Sequence, residues 1–164
     1  MGFDPSRVRG AVETELPREW NELTHAVIGA AMEVHTILGP GLREKIYEIA
    51  LEHELSSRGL RVLRQRPFEA TYKGLALPVQ VADTVVNETL IVEVKSVAKL
   101  CDEDHAQLIG YLNLTGLPLG LLLNFGSAVL RNGIHRKINY PAKNSRDVKL
   151  LTPLLPSVSS VSSR

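Results

Sequence analysis

Residues 79–95 read Val79-Gln80-Val81-Ala82-Asp83-Thr84-Val85-Val86-Asn87-Glu88-Thr89-Leu90-Ile91-Val92-Glu93-Val94-Lys95. Both halves are rich in Val, Ile and Thr, which suit a pleated, half-buried surface, so the run predicts neighbouring strands at 78–86 and 89–95. A strand that buries one face is apolar at every second position. That period groups Val79, Val81, Asp83 and Val85 on one face of the first strand, and Thr89, Ile91, Glu93 and Lys95 on one face of the second. Asp83 and Glu93 are thus carboxylates among β-branched neighbours, with Lys95 beside Glu93. Burying a charge is costly unless it is paired or binds a metal. Two carboxylates converging on a strand pair offer hard oxygen donors to a divalent cation such as Mg²⁺. A lysine one step along can hold a phosphate or an attacking water. The plainer reading is a solvent-facing strand with a Glu93–Lys95 ion pair and an edge Asp83. Taken together, the three residues favour the site.

Register decides between these readings. A two-residue loop, Asn87-Glu88, would pair Val86 with Thr89 and Asp83 with Val92, sending Asp83 and Glu93 to opposite faces. The site requires an odd-length loop, such as 87–89, or a bulge, so that Asp83 faces Glu93.

Upstream, Leu23, Val27, Ala30, Ala31, Val34, Ile37 and Leu38 recur at helical spacing from Asn21 onward. Gly39-Pro40-Gly41 ends that helix and opens a second, about 42–58, with Leu42, Ile46, Ile49, Ala50 and Leu55 on one side and Gly59 as its cap. Residues 61–66 and 68–72 read as extended around Pro67, with a turn at Lys73-Gly74. Downstream, 102–115 reads as a helix with Asp102, Glu103 and Asp104 in its first turn. Leu119–Asn124 is a buried strand, and 128–138 a hairpin around Asn132-Gly133. The order α-α-β-β-β-α-β predicts an α/β (α+β) domain over 21–140, a mixed central sheet flanked by helices. Residues 1–20 are expected to form a flexible arm, and 141–164 a Pro/Ser-rich disordered tail.

The 164 residues are 44% hydrophobic and 23% charged, the mix of one soluble globular domain. No apolar run approaches the roughly 20 residues needed to cross a bilayer. No apolar stretch follows a basic N-terminal region, so a cytoplasmic protein without membrane partners is expected. A single cysteine, Cys101, excludes a disulfide framework, a structural zinc cluster and a four-cysteine iron–sulfur cluster. The net charge of +1 divides as −4 over 1–60, −1 over 61–130 and +6 over 131–164. A basic C-terminal third suits a polyanion, with Arg131, Arg136 and Lys137 as candidate phosphate contacts; general solubility is the plainer account. Gln107 and Tyr111, four apart, share a helix face that could grip a phosphate or a base. Glu44 could point into the site from the second helix, although a solvated glutamate is the default there.

The run Gly41-Leu42-Arg43-Glu44-Lys45-Ile46-Tyr47 reads G-x-x-E-x-x-Y. With Glu33-Val34-His35, Asp83, Glu93-Val94-Lys95, His105-Ala106-Gln107, Tyr111-Leu112 and Leu123-Asn124-Phe125-Gly126, it resembles the bacterial and archaeal GxxExxY proteins of the PD-(D/E)XK nuclease superfamily. The resemblance runs from about residue 21 to 139. It implies a restriction-endonuclease-like core in which Asp83, Glu93 and the Val94 carbonyl bind Mg²⁺, with Mn²⁺ as a substitute. Lys95 would orient the attacking water and steady the developing charge. Glu44 would act as an outer or second-metal ligand, and Gln107 and Tyr111, matching the Q-x-x-x-Y element of RecB-like nucleases, would position substrate. Ala82 stands where the superfamily's name has proline. The implied activity is Mg²⁺-dependent hydrolysis of phosphodiester bonds, with DNA the leading substrate. The rivals are a noncatalytic nucleic-acid-binding module and a small homodimeric interaction protein using the apolar first helix as its interface.

Overall fold

The computed structural model describes residues 16–139. Most of the expected arm and the whole of the expected tail lie outside the described residues. In chain order the elements are α1 (Arg18–Leu38), α2 (Glu44–Ser57), β1 (Val62–Phe68), β2 (Thr71–Tyr72), β3 (Leu75–Ala76), β4 (Gln80–Val86), β5 (Leu90–Lys95), α3 (Asp102–Thr115), β6 (Leu119–Asn124) and β7 (Ile134–Ile138). A 3-10 helix, Leu130–Gly133, precedes β7.

The strand order is β1-β4-β5-β6-β7, and β2 pairs with β3 in a separate hairpin around Lys73-Gly74. Only β5 and β6 run parallel, joined by the α3 crossover. They are apolar on both faces because helices cover both sides of the sheet. Val27, Ala30 and Ala31 of α1, with Tyr47, Leu51 and Leu55 of α2, pack on Val92, Val94, Leu121 and Leu123. On the opposite face Leu108, Tyr111 and Leu112 of α3 pack on Val85, Ile91 and Leu122. The expected mixed sheet between helices is therefore present as three layers. Gly120 lets α3 come close to β6, since a Cβ there would stand 2.9 Å from Leu108 Cδ1.

Four local expectations are corrected. α1 begins at Arg18, inside the expected arm, because the Pro17 carbonyl accepts the Trp20 N–H (3.0 Å) and Trp20 packs against the core. α2 buries Tyr47, Glu48, Leu51 and Leu55, while Leu42, Ile46 and Ile49 are exposed. Tyr47 decides that rotation by stacking on Phe125 at 4.5 Å between ring centres. Asn132-Gly133 is not a hairpin tip but lies in the 3-10 helix, where Gly133 sits against the Asn124 carbonyl too closely for a side chain. Val79 and Val81 are exposed, whereas Ala82 is buried, so the even alternation expected through Asp83 is broken. Among the described residues no helix is long and apolar enough to cross a membrane.

Candidate metal and catalytic site

The β4–β5 loop is the odd-length one. Asn87 and Glu88 take left-handed backbone (φ 50° and 51°), and the Thr89 N–H donates to the Val86 carbonyl (3.0 Å). Asparagine tolerates that conformation well. Thr89 is the additional residue, and pairing resumes as Val86 with Leu90, Val85 with Ile91 and Thr84 with Val92. The same register sets Asp83 opposite Glu93. The backbone ladder stops there and the carboxylates take over. The Asp83 N–H donates to Glu93 Oε1 (3.3 Å), and the Val94 N–H donates to Asp83 Oδ2 (2.9 Å). Beyond this point β4 stays with β1 and β5 with β6, so the strands part at the two acids.

The break in alternation has its origin beside Asp83. Gln65, which faces Asp83 in the β1–β4 register, takes left-handed backbone at φ 51°. Such a conformation costs a non-glycine residue about 1–2 kcal/mol. Leu63 and Val85 pack toward α3, and past the kink Phe68 and Ala82 do so as well, which inverts the face that odd-numbered residues show. Gln65 is held by Glu48 of α2, whose Oε2 accepts from Gln65 Nε2 (3.0 Å) and lies 3.6 Å from Lys45 Nζ. Sequence reasoning missed both residues. Glu48 had a signal, since it shares helical spacing with the buried Leu51 and Leu55. A left-handed glutamine inside a strand has none.

Glu93 is 2% exposed. Burial, reinforced by the neighbouring Asp83 carboxylate, pushes its acid up to about 8. The Glu93–Lys95 surface pair of the plainer reading does not form. Lys95 Nζ donates to Gln107 Oε1 (3.1 Å) and lies 3.8 Å from Asp104 Oδ1. Gln107 Nε2 in turn donates to the Tyr111 hydroxyl (3.0 Å), so the amide–phenol pair on α3 steadies the lysine. Backbone contact with Cys101 holds the Asp104 carboxyl below its usual range and anchors that end of α3.

Glu44 stands at the start of α2 with Oε1 accepting the Ser96 N–H (3.2 Å), one residue past Lys95. Tyr47 sets its position. The hydroxyl donates to the Gly39 carbonyl (2.6 Å) and accepts the Leu42 N–H (3.1 Å), closing the turn between α1 and α2. Tyr47→Phe is expected to cost about 1–3 kcal/mol, the penalty of leaving these partners unmade, as read from urea unfolding. An unchanged midpoint would refute this role.

Asp83, Glu93 and the Val94 carbonyl are the hard oxygen donors that could hold a cation here. The Lys95 carbonyl accepts the Phe125 N–H on the β6 side (2.7 Å), so alternation along the strand turns the Val94 carbonyl toward β4, as its N–H is turned. Among the described residues no three His, Cys, Asp or Glu side chains converge as a metal ligand group. Two carboxylates with a carbonyl suit Mg²⁺, which keeps several waters of its own. The Asp83 repulsion that adds to burial in raising Glu93 is what a divalent cation between the two acids would relieve.

The three basic candidates separate. Arg136 Nη1 donates to Asn21 Oδ1 of α1 (2.8 Å), on the face away from α3, so it ties β7 to α1. Lys137 is half-buried on β7 in the row of Gly120 and Ile91. Arg131 is exposed on the 3-10 helix.

A three-layer mixed sheet with two acids and a lysine where its strands part defines a restriction-endonuclease-like protein. Residues 21–137 match the PD-(D/E)XK nuclease superfamily, and the chain belongs to that superfamily. Neither the curated proteins nor the solved structures contain a match.

Proposed function

We propose that this chain is a Mg²⁺-dependent nuclease, cytoplasmic and akin to the GxxExxY proteins, that hydrolyses phosphodiester bonds in DNA. The carrying observation is the Asp83–Glu93 pair at the parting of β4 and β5, with Lys95 held beside it by Gln107. Mg²⁺, or Mn²⁺ in its place, bound by Asp83, Glu93 and the Val94 carbonyl, would polarise a phosphoryl oxygen and ease deprotonation of water. Glu93 gives up its proton to take part. Lys95 orients the attacking water and faces the negative charge that grows on the phosphate, while Gln107 and Tyr111 keep the ammonium from turning away. The water oxygen bonds to phosphorus as the opposite P–O bond breaks. The leaving oxygen takes up a proton, and the water's proton passes to solvent. Glu44 acts as an outer group that orders the backbone after Lys95. Arg131 and Lys137 would add salt-dependent affinity without reading sequence.

Labelled single- and double-stranded DNA incubated with Mg²⁺, Mn²⁺ or EDTA tests the reading, with Lys95→Ala beside the wild type. Cutting that requires metal and disappears in the folded variant is expected. A folded wild type that binds DNA without cutting, and still binds in EDTA and as Asp83→Ala, would instead be the binding module. α1 buries its apolar stripe on the protein's own sheet, so a second copy would meet Ile37, Leu38, Leu42, Ile46 and Ile49, which are exposed. Sedimentation reads that directly.

A further inference from the structure

On the β6–β7 side of Lys95, the 98–100 loop, the first turn of α3, the 3-10 helix and β7 line an open-mouthed cavity of about 370 Å³. Its polar lining is Lys99, His105, Asn124, Ser127, Asn132 and His135. That volume falls in the range of small-ligand pockets. Among the described residues no carboxylate lines it. Asp104, next to His105 in sequence, is turned to Cys101 and Lys95 instead.

The two imidazoles meet edge to face, 4.9 Å between ring centres. His105 Nδ1 is buried without a hydrogen-bond partner. Burial, with His105 and Lys137 nearby, holds His135 below the usual histidine range. Asn124 is committed to Val97, which leaves Lys99, the two imidazoles, the Ser127 hydroxyl and the Asn132 amide as a donor-rich lining without a carboxylate, the chemistry that receives phosphate oxygens. Its place relative to the acids matters as much as its chemistry. Asn124 is in register with Lys95, and His135 lies in the row of Glu93, two strands away, about 10 Å at ordinary strand spacing. A stacked strand covers that in about three nucleotides at ~3.4 Å each.

We propose that this cavity is a phosphate subsite that holds the cleaved strand a few nucleotides from the scissile bond. It rests on the nuclease reading for its biological use, while the binding itself requires no metal. The phosphate is either an internal diester or a terminal monoester.

The test is titration of the full-length protein in EDTA with a short oligonucleotide, with and without a 5′-phosphate, following the imidazole C–H resonances. His105 and His135 are expected to shift while the exposed His53 does not, and Lys99→Ala is expected to weaken binding about tenfold. Shifts with both oligonucleotides identify an internal phosphate, and shifts with the phosphorylated one alone identify a terminal phosphate. Binding that leaves both resonances unmoved, no binding at all, or unchanged affinity in Lys99→Ala overturns the subsite. Because no metal is present, binding here without cleavage elsewhere would refute the nuclease and keep the subsite, and the reverse pattern would do the opposite.

Discussion

Glu93→Gln is expected to lower metal-dependent cleavage by about 10²–10³-fold while making the metal-free protein more stable at pH 8. On the proposed function this variant would lose a metal ligand and with it several kcal/mol of charge stabilisation, and each 1.4 kcal/mol is about tenfold in rate. The stability gain has a different cause. The Glu93 acid stands at about 8 in the folded protein against 4.5 when free, because it is buried and faces Asp83. Between those values the folded state holds a proton that the unfolded state has released. Stability therefore falls as pH rises through that window, by at most about 1.4 kcal/mol per unit, and levels off above about pH 8. A glutamine amide is neutral throughout and keeps an oxygen for the Asp83 N–H, so the variant lacks this slope. Urea unfolding in EDTA from pH 5 to 8 measures the difference. If the proposed site holds Mg²⁺ in the folded wild type alone, the ion should restore the stability lost at pH 8, by about 2.7 kcal/mol at a hundredfold excess over Kd. Parallel pH profiles for the two proteins would refute the buried, repelled glutamate.

The largest loss of stability is expected from Gly126→Ala, about 3 kcal/mol, the upper end of the usual cost of overpacking. A Cβ there would stand 2.4 Å from the Val97 carbonyl oxygen and 2.7 Å from its nitrogen. Both are backbone atoms and cannot rotate aside, so the chain itself has to move. It is pinned on both sides: Asn124 Oδ1 accepts the N–H groups of Val97 and Gly126, and Asn124 Nδ2 donates to the Val97 carbonyl. Val97 is two residues past Lys95, so the displacement should also lower cleavage. Gly110→Ala is the control. Nothing lies within 4 Å of its Cβ, and alanine in a helix interior is favoured by about 0.5–1 kcal/mol. Thermal unfolding of the two variants beside the wild type reads both signs, and a Gly126→Ala midpoint equal to the wild type would refute the close approach.

These expectations depend unequally on sequence and on structure. Period and composition alone indicate that β5 and β6 are strands and that α1 and α3 are helices, and they single out Asp83, Glu93 and Lys95 as residues that break the apolar pattern. Local chemistry suffices there, because β-branched runs, helical spacing and acids in a first turn act through near neighbours. Sequence could also state the register condition for the site without choosing between the two loops. Tertiary structure chose the three-residue loop, the pairing in which Val86 packs on the α1–α2 side, Val85 on the α3 side, and Asp83 comes opposite Glu93. It also chose the buried face of α2, where Tyr47 on Phe125 outweighed an apolar stripe of similar strength. The kink at Gln65, the turn of Lys95 toward Gln107 and the engagement of Arg136 with α1 were likewise invisible in the chain. Each depends on a partner far away in sequence, and side-chain period says which residues share a face but not what meets them there.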